Sequence, residues 1–167
     1  MGDTNRLNYG DKINYYEGVV VDVQNGRVSL DVLGRLGWFE IDEAMFTAEH
    51  PFRRGQSIGW KMSFVEQLAD AGEDYVSGVR NPDGTMYYEA VVTAVDDCAV
   101  QVELKENQGK FKTPMRMLIS DIPFEVGQTV GWNMTKLVQL GPEVNEKYVS
   151  NIQNRERRAL EISSINK

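Results

Sequence analysis

Residues 51–62 read PFRRGQSIGWKM, and residues 123–134 read PFEVGQTVGWNM. Pro51, Phe52, Gly55, Gln56, Gly59, Trp60 and Met62 each recur 72 positions later. Carried outward without gaps over residues 15–68, the same offset gives 19 identities in 54 positions, among them Tyr15/Tyr87, Glu17/Glu89, Gly37/Gly109, Phe39/Phe111 and Met45/Met117. Self-similarity at a fixed period marks a duplicated structural unit. One inserted residue further on, YVSGVRN (Tyr75–Asn81) meets YVSNIQN (Tyr148–Asn154). The join is Asn81-Pro82-Asp83-Gly84, in which Pro fixes φ, Asp bonds nearby amides and Gly accepts φ > 0. The reading is a polar arm over 1–14, a first repeat over 15–81, a second over 86–158 and a tail over 159–167. So short a linker keeps the two repeats in contact.

Each repeat opens with period-two alternation. Val19, Val21 and Val23 lie on one face, and Val91, Thr93 and Val95 repeat them. Asn25-Gly26 is a hairpin turn signal, after which Val28, Leu30 and Val32 alternate with Arg27, Ser29 and Asp31. A third strand is expected over Gly37–Ile41, with Gly34 and Gly37 allowing a bend, and one short helical turn within Asp42–Glu49. Gly55-Gln56 restarts the chain into a fourth strand, and Tyr75–Val79 is the fifth. Five short strands in a repeat of this length fit a small closed barrel, which leaves no exposed sheet edge. Such a unit buries little core alone, so pairing helps stability. Trp60 and Trp132, in phase with apolar neighbours, are core rings. Phe39 and Phe111 are core as well, which turns Trp38 outward because adjacent strand residues face opposite ways. Tyr15-Tyr16 and Tyr87-Tyr88 each read as one buried ring beside a surface one.

This order of elements resembles the oligonucleotide-binding barrels of the cold-shock and ribosomal S-one type. Gly34-Arg35-Leu36-Gly37-Trp38-Phe39-Glu40-Ile41-Asp42-Glu43 is similar to the glycine-aromatic third strand of the S-one family. Gly127-Gln128-Thr129-Val130, with Tyr148-Val149-Ser150-Asn151-Ile152, resembles the fourth and fifth strands of cold-shock domains. The resemblance implies an all-β chain of two tandem five-stranded OB-like barrels that bind single-stranded nucleic acid. The sequence departs from the pattern on the binding face. Outward positions of the second strand are Arg27, Ser29 and Asp31, or Ala99, Gln101 and Glu103, with no ring to stack on a base. The third-strand position at which those families often place His holds Glu40 or Lys112.

Charge divides the halves. The 167-residue chain carries 18 Lys and Arg against 25 Asp and Glu, a net −7, which argues against coating nucleic acid by charge alone. Residues 1–84 hold 8 basic and 14 acidic side chains, and residues 85–167 hold 10 and 11. A phosphate-binding surface therefore falls to the second repeat. Its candidates are Lys105, Lys110, Lys112 and Arg116 around one hairpin and Arg155, Arg157 and Arg158 at the end, with Trp38 as the stacking ring. Arg155–Arg158 is equally suited to pair with Glu143 or Glu146.

One Cys and one His exclude a disulfide framework and clustered imidazole or thiolate metal sites. No phosphate loop, GxGxxG, HExxH or GxSxG is present, so no cofactor and no enzyme are expected. No apolar run is long enough to cross a bilayer and the polar start is not a signal peptide, which points to a cytoplasmic protein with no membrane partner. The expected partner is single-stranded RNA or DNA, held by the second repeat. The alternative is an acidic adaptor, or an inhibitor that imitates nucleic-acid charge, whose first repeat docks a basic protein such as a ribosomal or nucleic-acid-processing one.

Overall fold

The computed structural model describes residues 7–33, 37–68, 79–120 and 122–165. The first half contributes β1 (Asn14–Gln24), β2 (Arg27–Val32), β3 (Trp38–Asp42), β4 (Phe46–Thr47), β5 (Gln56–Met62) and β6 (Val65–Gln67). After β7 (Val79–Arg80) the second half repeats the series as β8 (Met86–Val95), β9 (Ala99–Leu104), β10 (Gly109–Pro114), β11 (Leu118–Ile119), β12 (Thr129–Met134) and β13 (Leu137–Val144). Helix α1 (Glu146–Ile165) ends the described chain. Short 3-10 turns at Glu43–Met45 and Met115–Met117 occupy equivalent places.

The local signals act as their chemistry requires. Asn25 and Gly26 both take positive φ, 52° and 77°, as a tight two-residue hairpin demands. In the second hairpin Asp96 does the equivalent work with its side chain, accepting the amides of Cys98 and Ala99 at 2.8 Å each. At the join, Gly84 (φ 90°) donates its amide to Asn81 O at 3.1 Å, and Asp83 accepts both the amide and the hydroxyl of Thr85.

The chain is mostly β, yet it does not form two separately closed five-stranded barrels. All strands belong to one sheet. The central seam joins β3 to β10, with Phe39 opposite Phe111. A second seam joins β5 to β12 at Met62 and Met134. With the pairings β12–β8, β8–β9, β9–β10, β3–β2, β2–β1 and β1–β5, these seams close a circuit of strands drawn equally from both halves.

Two short connections, Ser63-Phe64 and Thr135-Lys136, make the crossing. Their hydroxyls, which elsewhere serve tight turns, bond across it, and neither connection turns the chain back on its own half. Instead β6 continues the line of β5 onto β12, and β13 continues β12 onto β5. The two halves thus exchange their sixth strands. The crossing is symmetric in detail: the amides of Ser63 and Thr135 donate to Asn133 O and Lys61 O, each at 2.9 Å. In return, the hydroxyls of Ser63 and Thr135 accept the amides of Asn133 and Lys61, again at 2.9 Å. Gln67 and Gln139, on the exchanged strands, donate to the side chains of Gln128 and Gln56 in the opposite half, at 2.7 and 3.1 Å.

One core results. Phe39 and Phe111 stack face to face, 4.7 Å apart and 8° from parallel. Trp60 and Trp132 flank that pair at 5.3 and 5.0 Å, and Tyr16 and Tyr88 follow at 6.2 and 5.9 Å. This aromatic row runs continuously through both halves. Neither half encloses it alone, which is why short-stranded repeats of this size are joined.

Three further expectations change. Tyr148–Ile152, read as a fifth strand by analogy with the first half, is helical. It belongs to α1, which also extends through the expected tail to Ile165. Most of the other fifth strand, Tyr75–Val79, lies outside the described residues, as does Gly34-Arg35-Leu36; Val79 pairs with Tyr87. Tyr15 is exposed beside buried Tyr16 as expected, whereas Tyr87 and Tyr88 are both buried.

Candidate functional site

Helix α1 grows from the end of the exchanged strand β13 and packs back onto the first half. Asn145 caps it by accepting the amide of Lys147 at 3.0 Å, while its own amide bonds Gly55 O at 3.0 Å. A Cβ on Gly55 would fall 2.6 Å from Val149 and 2.7 Å from Val144, so the glycine lets helix and strand meet. Ile152 is buried, and Arg54 pairs with Glu156 at 3.2 Å.

Between α1, the β1–β2–β3 face and the β8–β9 turn lies a cleft of about 1100 Å³. It brings together Trp38, Lys112, Arg155 and Arg158, four of the residues expected to bind nucleic acid. Trp38 is half-buried rather than fully outward, and its ring makes no aromatic contact among the described residues. Tyr148 and Asn151 on the helix complete this wall. Asp31, Asp96 and Asp97 supply an acidic rim.

Two of the cations are already paired. Arg155 donates to Asp31 at 2.8 Å, instead of to Glu143 or Glu146, and Lys112 meets Asp96 at 3.5 Å. Both pairs are solvent-exposed, so each contributes about 1 kcal/mol or less and yields readily to a competing anion. Arg158 has no ion pair among the described residues. The amide of Cys98, then that of Ala99 and the Lys112 ammonium, hold the Asp96 carboxyl below the usual aspartate range. Asp96 therefore stays charged as pH falls past the ordinary aspartate value.

The other expected residues lie elsewhere. Lys105 reaches fully buried Glu89 at 3.6 Å, and Lys110 pairs with Glu40 across the central seam at 3.7 Å. Arg116 sits on the 3-10 turn before β11, and Arg157 donates to Asn154 within the helix at 2.9 Å. Among the described residues no group of three His, Cys, Asp or Glu could hold a metal ion, and no helix is long and apolar enough to cross a membrane. Tyr148 and Asn151 are not among the expected site residues, because the repeat suggests a strand there. The signal was present as helical spacing, since 148, 151, 155 and 158 follow one helix face.

No protein-family model matches the chain, and no curated protein matches it. Among solved structures it is similar to the cytoplasmic molybdate-binding protein ModG, crystallised with molybdate bound. The TM-score is 0.26 and the identity 10%, over 82% of this chain and 96% of that one. A likeness of that size carries no argument about fold or ligand.

Proposed function

We propose that the chain is a non-enzymatic, cytoplasmic binding protein whose cleft takes a short single-stranded RNA segment. The observation that carries this reading is the convergence of Trp38, Lys112, Arg155 and Arg158 on one cleft. In it Trp38 stacks on a base and Arg158 takes a phosphate. Arg155 and Lys112 exchange their aspartates for further phosphate oxygens. Each half runs through three strands, a short 3-10 turn, a two-residue strand and a longer strand, an order that supports the OB-like reading of the repeats. The acidic rim limits the bound length, so selectivity rests on stacking more than on charge.

Fluorescence anisotropy with fluorescein-labelled single-stranded RNA at low salt tests the reading. Binding is expected to fall with salt at a logarithmic slope no steeper than about −2, given roughly 0.7 per phosphate contact for three cations. Trp38→Ala is expected to cost about 1–3 kcal/mol, the usual value of one stacked base. Arg158→Glu is expected to weaken binding and flatten the salt slope. No binding at low salt, or affinity unchanged in both variants, contradicts the proposal.

A second reading has its own support. Besides the two cleft pairs, Arg54, Lys105 and Lys110 are also tied to carboxylates, which leaves the surface of a −7 chain acidic. That favours an adaptor docking a basic protein on the first half, and this reading predicts no RNA binding at all.

A further inference from the structure

The duplication places the same four residues on the outer face of each half: Tyr15, Glu17, Gly59 and Leu140 in the first, and Tyr87, Glu89, Gly131 and Leu68 in the second. The exchange of strands makes each set a composite of both repeats. In both sets the tyrosine hydroxyl donates to the glutamate two residues on, at 2.9 Å for Tyr15 and 2.5 Å for Tyr87. In both, the tyrosine lies over the glycine with the leucine beside it. A Cβ on Gly59 would meet Tyr15 Oη and Leu140 Cδ2, and one on Gly131 would meet Tyr87 Oη at 3.0 Å and Leu68 Cδ1 at 3.3 Å.

The sets differ in what covers them. In the second half the N-terminal arm lies across the face and puts Leu7 Cδ2 3.3 Å from the same point above Gly131. The arm is pinned by buried Glu66, which accepts the amides of Asn8 and Tyr9 at 2.9 Å, and by Asn133, which donates to Gly10 O at 2.9 Å. Lys105 supplies the cation to Glu89. Tyr87 and Glu89 are consequently fully buried. In the first half Leu33 stands where Lys105 would be, and among the described residues Glu17 has no ion pair. Val138 replaces Glu66, and Lys61 replaces Asn133. Tyr15 is 54% exposed, Leu140 47% and Val138 40%.

We propose that this first-half face docks an extended segment of a partner protein that seats a leucine-sized side chain over Gly59 and sets a basic side chain against Glu17. The second half is the template, since it fills both positions from its own chain with Leu7 and Lys105. Val138 offers no acceptor for a backbone amide, so the incoming segment meets it with an apolar side chain. Lys61, on the same face opposite Tyr15, takes the carbonyl that Asn133 holds in the second half. This face lies outside the cleft, and its docking rests on the basic-partner reading of the first half rather than on RNA binding.

A short fluorescein-labelled peptide bearing an Arg-Leu pair in an otherwise Gly/Ser sequence, titrated against the full chain, is the probe. Saturable binding is expected, reduced tenfold or more when the peptide leucine becomes alanine or when Leu140→Asp is introduced. Glu17→Lys is expected to weaken it up to about fivefold and to restore binding to the peptide whose arginine is replaced by glutamate. That reversal would not follow from a mere change in stability. No binding up to millimolar peptide, or binding indifferent to both Leu140→Asp and Glu17→Lys, overturns the proposal. So does a dimer of the chain that Leu140→Asp dissolves, which would give the face to a second copy.

Discussion

Phe111→Ala is expected to destabilise the whole chain by about 3–5 kcal/mol, the usual cost of emptying a buried phenylalanine site. Phe111 is fully buried, stacked on Phe39 across the central seam and edge-on to Trp132. Its removal takes the middle out of a row of rings that both halves share. For a chain of this size the midpoint of thermal unfolding should fall by about 2–4 °C per kcal/mol. Tryptophan fluorescence and far-ultraviolet circular dichroism should both follow one coincident transition, in wild type and variant alike. Two transitions, only one of them shifted by Phe111→Ala, would mean independent cores.

Gly109→Ala should also have a large effect, for a backbone reason. Gly109 has φ 135°, and a Cβ there would lie within van der Waals overlap of Glu40 O and 2.9 Å from Ile41 Cα, both on the facing strand β3. A Cβ on Gly37, its counterpart in the first half, would lie 2.7 Å from Lys112 O on the facing strand. These glycines let β3 and β10 lie close enough to hydrogen-bond. An added methyl strains the backbone by about 1–3 kcal/mol and overpacks the seam by a similar amount, giving about 2–6 kcal/mol together. Gly127→Ala is the control, because φ there is 97° with nothing within 4 Å of the added carbon. It should cost only the conformational part, about 1–2 kcal/mol. Denaturant unfolding of the two variants side by side checks the difference; equal losses would remove the argument for a close seam.

Much of this architecture was legible in the repeat. The offset locates equivalent strands, Asn25-Gly26 marks the hairpin, and the phase of Trp60 and Trp132 assigns them to the core. The partnering of strands was not legible, because alternation shows which face a strand buries and not which half it buries it against. Ser63-Phe64 and Thr135-Lys136 carry hydroxyl residues that suit a tight turn as well as a crossing, so they do not mark that β6 and β13 run on into the neighbouring half. Helix α1 was hidden for a different reason. Tyr148–Asn154 matches Tyr75–Asn81 in sequence, and that likeness outweighed the helical spacing that continues through Arg155 and Arg158. For the site, residue type pointed to Trp38 and the terminal arginines, while only packing shows which cations share a cleft. Lys105 and Lys110 have the same chemistry as Lys112, yet they face carboxylates away from it.

The claim on which the rest stands is the exchange of sixth strands between the halves. Nuclear Overhauser contacts in the uniformly labelled protein test it most directly, at the paired backbones of Ser63 with Asn133 and Lys61 with Thr135, and of Glu66 with Gly131. Cross-strand contacts at all three are predicted. Contacts from Val65–Gln67 to first-half strands, with none to β12, would contradict the exchange and restore two separate barrels.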